Sequence, residues 1–235
     1  MILGIGVVIA FSEGGWNYLA WRFGERMSIA DRLQQFAARV DPLWEMRCHE
    51  AGLSYPPMRA RLLGLKKEKR LEIYAAEATG PWKALASYPV LAASGGPGPK
   101  LREGDNQVPE GLYRIALLNP NSLFHVSLRV DYPNAEDREQ ARADGRDRLG
   151  GDIMIHDGRA SVGCIAIGDP AIEEVFTLAA RCGLDRIEVV IAPADFRAGA
   201  QNPSEQPAWM DERYVRLRAV LAELPRLVAT APTNH

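Results

Sequence analysis

Cysteine is scarce in this chain of 235 residues, which has only three. Cys48, Cys164 and Cys182 form no CxxC pair, and none has a histidine at metal-ligand spacing. A zinc site and a dense disulfide framework are therefore poorly supported, and we predict no metal or other cofactor. Because three is an odd number, at least one thiol must be free within a monomer. Such a thiol is either an inert part of the core or a reagent.

An excess of charge of either sign is also lacking. The chain has 28 basic and 30 acidic residues, which are interspersed, and its formal net charge is −2. Such a balance generates no electrostatic field that would gather nucleic acid or anionic lipid. We therefore predict no nucleic-acid partner.

The N-terminal segment, residues 1–27, lacks the full set of features of an export signal. Residues 1–11 are apolar enough for its hydrophobic region, but no basic segment precedes them and no small-residue cleavage site is evident. Continued to residue 23, the stretch is long enough to span a bilayer, although Glu13 and Asn17 interrupt it. A signal or membrane anchor is favoured over a buried strand, and both interpretations remain open.

The rest of the chain shows no internal repeat and divides into three segments. Residues 28–65 are predicted to form a helical arm of two short helices, which begins at Ser28 and is broken at Asp41-Pro42. Residues 66–195 carry the predicted strands, and their polar stretch 136–148 is predicted to be a flap or a surface helix. Residues 196–235 should form a loop and an amphipathic helix. The predicted class is α+β and β-rich, with about six to eight strands.

A histidine and a cysteine in the apolar stretch 152–167 are the main candidates for chemistry. A strand ends in His156, and a loop containing Gly158 and Gly163 can return the chain so that the imidazole meets the thiol of Cys164. A cysteine nucleophile needs such a base, a group that orients the base, and backbone N–H donors for the developing negative charge. The imidazole would also hold the thiol as thiolate near neutral pH. On this spacing alone, core packing is the commoner interpretation.

Two stretches, residues 153–156 and 161–165, together resemble the signature of the L,D-transpeptidase catalytic domain (YkuD) family. That signature is an apolar strand ending in histidine, followed by a Ser-x-Gly-Cys loop. The similarity extends from about residue 70 to residue 193 and is greatest to the YafK-like branch. Further matching stretches are residues 98–100, 103–105, 109–115, 119–122 and 132–134.

The resemblance implies a β-sandwich-type catalytic domain with flanking helices, over residues 66–195, that acts on peptidoglycan stem peptides. Cys164 would attack the carbonyl of a meso-diaminopimelyl residue and form a thioester, and His156 would take the thiol proton. The backbone carbonyl of Asp157 would orient the imidazole, and the N–H groups of Gly163 and Cys164 would hold the oxyanion. An amine of another stem peptide would resolve the thioester into a crosslink, whereas water would make the enzyme a hydrolase. The family works in the periplasm or cell envelope.

Two departures from the family pattern favour the YafK-like branch. Val162 stands where most members have histidine, and the spacing between His156 and Cys164 is shorter than usual. Some members of this branch are amidases that release an outer-membrane lipoprotein from peptidoglycan, so such a lipoprotein is a further candidate partner. The departures favour hydrolysis slightly over transpeptidation.

Five residues are candidates for substrate binding. Ser161 is expected to fix the loop before the cysteine. His125 could line the donor pocket, although a surface or satisfied sheet histidine is the commoner case. Lys100 and Arg102 could meet substrate carboxylates or be solvated loop charges. Tyr113 lies within the matching stretch 109–115.

The order and spacing of these residues also bear on two other functions. A papain-like enzyme is disfavoured, because there the cysteine precedes the histidine by a long interval. A non-catalytic wall-binding or scaffold module on the same fold remains open, although such a module would not need both His156 and Cys164. Cys48 and Cys182 are expected to be structural, with a disulfide between them possible. The basic run at residues 66–70 is predicted to be a solvated strand end rather than a wall-binding patch.

Overall fold

The computed structural model describes residues 26–122, 125–159 and 161–227. The possible signal or membrane anchor lies outside these residues, apart from its last two. Within the described ranges, no helix combines the length and the apolar character needed to cross a membrane.

The described part of the chain contains four α-helices and eight strands. The helices are α1 (Ile29–Glu50), α2 (Ala135–Ala143), α3 (Asp169–Cys182) and α4 (Met210–Ala222). The strands are β1 (Arg59–Leu65), β2 (Arg70–Ala76), β3 (Lys83–Pro89), β4 (Gly111–Asn119), β5 (Ser127–Val130), β6 (Met154–His156), β7 (Ile165–Ala166) and β8 (Ile187–Ala192). The polar stretch 136–148 thus holds the surface helix α2 and not a flap.

All eight strands belong to one sheet in the order β3-β2-β1-β8-β4-β5-β6-β7. The pairs β1–β8 and β6–β7 are parallel, and the other pairs are antiparallel. The sheet curls, because Ala92, just after β3, forms a bridge with Ala166 in β7 at the opposite end of the order. The N–H of Ala166 donates to the carbonyl of Ala92 at 2.9 Å. The predicted β-rich α+β class is confirmed, in the form of a single curled sheet.

Helices cover both faces of this sheet. Phe36 and Trp44 of α1 and Phe176 of α3 belong to one buried cluster, and Tyr214 and Leu217 of α4 belong to a second. Helix α4 confirms the amphipathic helix expected near the C-terminus.

The prediction of two short helices separated at Asp41-Pro42 is wrong. The structure has one helix, α1, with Pro42 inside it. Proline removes one backbone hydrogen bond from the helix interior. The buried residues Phe36, Val40 and Trp44 continue across this point at intervals of four, and the indole of Trp44 donates to the Glu174 carbonyl at 2.9 Å. Burial of the continuous apolar stripe outweighs the lost bond.

The helical arm also ends earlier than predicted, since residues 59–65 form strand β1. Strand β1 lies between β2 and β8 and is buried along nearly its whole length. Leu62 belongs to one apolar cluster and Leu63 to the other, so both faces of the strand are covered. A strand buried on both faces has no alternation of apolar and polar residues, which removes the usual sequence signal.

Candidate active site

Strand β6 places His156 in the middle of the strands that form the site. His156 pairs with Ser127 of β5 on one side and with Ala166 of β7 on the other. Its ring Nδ1 lies 2.6 Å from the carbonyl oxygen of Asp157. A carbonyl can only accept, so Nδ1 carries the hydrogen and Nε2 is left as a base. This is the contact that the family resemblance implied.

Cys164 stands immediately before β7, close in register to the start of β6. Its Sγ donates to the Asp152 carbonyl at 3.6 Å and accepts from the Met154 N–H at 3.4 Å. Among the described residues, no hydrogen bond joins this sulfur to His156. The parallel pairing of β6 with β7 makes Ala166 the partner of His156, so Cys164 lies two residues along the chain from that partner. Proton transfer to the imidazole therefore requires rotation of the thiol away from Asp152.

Both groups of the pair are neutral in this resting arrangement. Burial raises the pKa of the Cys164 thiol, and the Met154 N–H offsets part of that effect. Burial lowers the pKa of His156, with a partial offset from its hydrogen bond to Asp157. Low-polarity surroundings disfavour the charged form of each group. Burial thus disfavours the thiolate–imidazolium pair that the sequence analysis expects, and that expectation stays a prediction.

Two serine hydroxyls organise the loop before the nucleophile. Ser161 Oγ accepts from the N–H groups of Cys164 at 3.1 Å and Ser94 at 3.3 Å, and it donates to the Cys164 carbonyl at 2.6 Å. Ser94 Oγ accepts from the Gly163 N–H at 2.5 Å. Ser161 thus holds the loop, as expected. Ser94 was not a candidate from the sequence, because it is 69 residues from Gly163 and begins a stretch that reads only as an irregular loop.

These bonds bear on the predicted oxyanion site. The N–H groups of Gly163 and Cys164 already donate to serine hydroxyls, so a substrate oxyanion could use them only by displacing those hydroxyls. Gly163 itself has a φ of 86°, and a Cβ here would lie 3.2 Å from the carbonyl oxygen of Gln107. Glycine is therefore required both by the backbone and by the close approach of the neighbouring loop.

Replacing Ser161 by alanine should destabilise the protein by about 1–3 kcal/mol, because three backbone groups would lose the same hydroxyl partner. Urea unfolding would measure the change in the free energy of unfolding. Ser87→Ala is the matched control, since Ser87 is exposed on β3. Equal stability of the two variants would show that the Ser161 bonds contribute nothing net.

His125 is occupied elsewhere in the fold. Its Nε2 lies 2.6 Å from Oε1 of Glu173 in α3, and its ring packs edge-on against Phe36 with centroids 5.3 Å apart. Burial lowers its pKa. This is the satisfied histidine named as the commoner alternative, and a role in the donor pocket stays a prediction.

Lys100 and Arg102 differ in their surroundings. The Lys100 ammonium is buried, and it donates to Asp105 Oδ1 at 2.7 Å and to the Arg102 carbonyl at 3.0 Å. It is thus neither a solvated charge nor free for a substrate carboxylate, although its charge offsets a small part of the rise that burial causes in the pKa of Cys164. Arg102 is exposed, as expected of a loop charge.

Tyr113 is not brought to the nucleophile. The residue is 4% exposed, and its hydroxyl donates to the Glu110 carbonyl at 3.3 Å and lies 3.4 Å from Oδ1 of Asp137. Its polar atom is therefore used inside the fold. The structure gives Tyr113 a packing position in place of the predicted contact with substrate.

The three thiols differ in access and acidity. Cys48 and Cys182 are buried and free, so no disulfide joins them, and burial raises their pKa values to about 11 and about 12. Cys164 is partly accessible. It is the thiol that a substrate or reagent would reach first.

The segment that holds this Ser-x-Gly-Cys loop and strand-end histidine matches a known protein family. The chain belongs to the L,D-transpeptidase catalytic domain family, YkuD, whose model matches residues 65–191. The resemblance seen in the sequence is thereby confirmed.

Two curated relatives match about half of this chain. "Putative L,D-transpeptidase YafK" of Escherichia coli K12 is 35% identical over 133 residues, which are 54% of this chain and 51% of the relative. The protein of the same name from Escherichia coli O157:H7 gives the same values. The chain therefore spans about half the length of the curated relatives it matches.

Solved structures that match part of this chain include a cell-shape protein. The helical cell shape determining protein Pgp2 of Campylobacter jejuni matches with a TM-score of 0.48 and 22% identity, over 64% of this chain and 55% of that one. Bd1075 of Bdellovibrio bacteriovorus matches with a TM-score of 0.43 and 16% identity, over 72% and 57% of the two chains.

Proposed function

We propose that this protein is a cysteine enzyme that modifies peptidoglycan stem peptides through a thioester on Cys164. The observation that carries the proposal is the His156 ring, fixed by the Asp157 carbonyl with Nε2 free to act as a base, on the strand beside the nucleophile. Membership of the family supplies the substrate class. The proposed location is the periplasm or cell envelope, where that substrate lies.

In the first step, the Cys164 thiol leaves the Asp152 carbonyl and gives its proton to His156 Nε2. The sulfur attacks the carbonyl carbon of a meso-diaminopimelyl residue, and an S–C bond forms as the C–N bond breaks. The proton on His156 passes to the departing amine. An incoming amine or water then attacks the thioester, His156 takes up the proton of that second nucleophile, and the C–S bond breaks. His156 returns the proton to the departing sulfur, which restores the Cys164 thiol.

We favour water over an amine as the second nucleophile. Val162 is 77% exposed beside Gly163 and Cys164, and an isopropyl group there offers no hydrogen bond to orient an incoming amine. An acceptor side without such a hydrogen-bonding group is easier for water to use than for a second stem peptide. A lipoprotein attached to peptidoglycan is a candidate donor substrate for such a hydrolase.

A non-catalytic wall-binding module is the second candidate. The observations that favour it are the neutral thiol bonded to Asp152 and the two N–H groups already bound to serine hydroxyls. Against it, a binding module has no need of a base oriented next to a partly accessible thiol.

Digestion of purified peptidoglycan, with products identified by mass spectrometry, distinguishes these functions. We expect release of a peptide, an amino acid or an attached protein without new crosslinks, and no change with Cys164→Ala. New crosslinks between diaminopimelyl residues would instead assign a transpeptidase. Identical products from the wild type and Cys164→Ala would leave the binding module as the better proposal.

A further inference from the structure

The side chain of Asp157 is a buried carboxyl beside the catalytic base that the mechanism above does not use. Only its backbone carbonyl holds the His156 ring. The residue is 3% exposed, and its Oδ1 has no hydrogen-bond partner among the described residues. That oxygen lies 3.9 Å from His156 Nδ1. Burying a carboxyl oxygen without a partner is unfavourable, so this atom calls for an explanation.

The charged groups around Asp157 come from two elements. Asp169, the first residue of α3, accepts from the Gly158 N–H at 3.4 Å, which places a second carboxylate near Asp157. His156 of β6 is the other titratable neighbour. His125 interacts with Asp169 and is paired with Glu173. Burial, and then Asp169, raises the pKa of Asp157 to about 6, so this carboxyl changes charge close to neutral pH.

We propose that the Asp157 carboxylate is a positioning residue that stabilises the His156 imidazolium while the ring holds the proton of Cys164. The inference rests on the proposed function and assigns a second task to the residue whose carbonyl orients the ring. No bond forms or breaks at Asp157. The thiol proton moves to Nε2, Nδ1 keeps its own hydrogen, and the resulting cation has a carboxylate within 4 Å.

The distance of 3.9 Å between Asp157 Oδ1 and His156 Nδ1 suits a carboxylate that stabilises the ring only while the ring is charged. In the resting state the ring is neutral and donates to the nearer carbonyl at 2.6 Å. When the ring becomes charged, the carboxylate 3.9 Å away stabilises it through space, while the Nδ1 hydrogen stays on the Asp157 carbonyl. An opposite charge at this range raises the pKa of the base by about 1–3 units. The thiolate–imidazolium pair should then be populated at least about ten-fold more.

The test is the rate of alkylation of Cys164 by iodoacetamide between pH 5 and pH 8.5, measured on the full chain by mass spectrometry of the labelled peptide. Asp157→Asn keeps the backbone carbonyl and removes the charge. At pH 8 the variant should react at least about ten-fold more slowly than the wild type. Below pH 6 the two rates should converge, because protonation removes the same charge from the wild type.

Asp169→Asn is a second test, at an exposed position. It should change the pH dependence of alkylation and leave the rate at pH 8 unchanged, whereas Asp157→Asn should lower that rate. Removing its charge lowers the pKa of Asp157, so the acidic limb of the wild-type profile should move to lower pH while the rate at pH 8 is retained. Thermal melting establishes that each variant is folded. If Asp157→Asn fails to fold, the movement of this limb decides the question alone.

A ratio between the wild type and Asp157→Asn that stays constant with pH would overturn the inference, since a purely structural effect has no reason to vanish below pH 6. So would equal rates at pH 8, or an unmoved limb in Asp169→Asn. Alkylation needs no peptidoglycan. Inactivity on peptidoglycan with the expected alkylation profile would therefore reject the proposed function and leave the role of Asp157 intact.

Discussion

Cys164→Ala, His156→Gln and the double variant should lose the same peptidoglycan-modifying activity, by roughly three orders of magnitude or more. The equality follows from the resting geometry. The thiol is neutral and bonded to Asp152, so without the imidazole it remains a poor nucleophile. Without the thiol, the imidazole has nothing to activate. Residues that act as one unit show losses that do not add.

Initial rates of product release measure this prediction, with His49→Gln as the matched control. His49 is exposed near the end of α1, and its replacement should leave the rate unchanged. If His156→Gln keeps most of the activity, another group accepts the thiol proton. If the losses of the two single variants instead multiply in the double variant, the residues act independently.

Local patterns predicted the part of the site that is local in sequence. His156, Asp157 and Cys164 lie within one strand, loop and strand, and Ser161 is three residues from the cysteine whose backbone it holds. Their roles could be proposed from a motif because chain geometry alone brings them together. The roles themselves stay predictions until activity is measured.

Contacts between distant segments were not predictable in this way. Ser94 reaches Gly163 across 69 residues, and nothing in an irregular loop marks one serine among several. Tyr113 followed the family motif, yet its position on β4 directs it into the core. Strand β1 and the uninterrupted helix α1 were missed for a related reason. Strand β1 is buried on both faces and so lacks the alternation of apolar and polar residues, and packing of α1 against the rest of the fold outweighs the helix-breaking effect of its proline.

The basic run at residues 66–70 also makes a contact with a distant segment that the sequence did not predict. Its first residue, Lys66, was expected at a solvated strand end, but its side chain is only 6% exposed. The ammonium lies 3.0 Å from Oε1 of Glu110 and donates to the carbonyls of Gly98 and Val108 at 2.7 and 2.8 Å. Each of these partners belongs to the loop between β3 and β4. Four lysines and arginines in five residues concealed one buried cation.

Lys66→Met should therefore destabilise the protein by about 3–5 kcal/mol. Methionine fills the space but leaves the Glu110 carboxylate buried without its cation. That carboxylate also accepts from the Gly98 N–H at 2.6 Å and from the Tyr214 hydroxyl at 2.6 Å, so it cannot move to water without breaking the loop and the contact with α4. Urea unfolding measures the loss, and Lys83→Met on the exposed side of β3 should change stability by less than about 0.5 kcal/mol.

The double variant Lys66→Met, Glu110→Gln shows whether the loss of stability comes from the broken ion pair or from altered packing. If the uncompensated carboxylate causes the loss, neutralising it should recover part of the stability, and the two substitutions will not add. The same loop contacts the nucleophile segment, since a Cβ on Gly163 would lie 3.2 Å from the Gln107 carbonyl oxygen. We therefore expect Lys66→Met to slow alkylation of Cys164 or to make it heterogeneous. Additive losses with unchanged alkylation would mean that the loop is held by its other contacts.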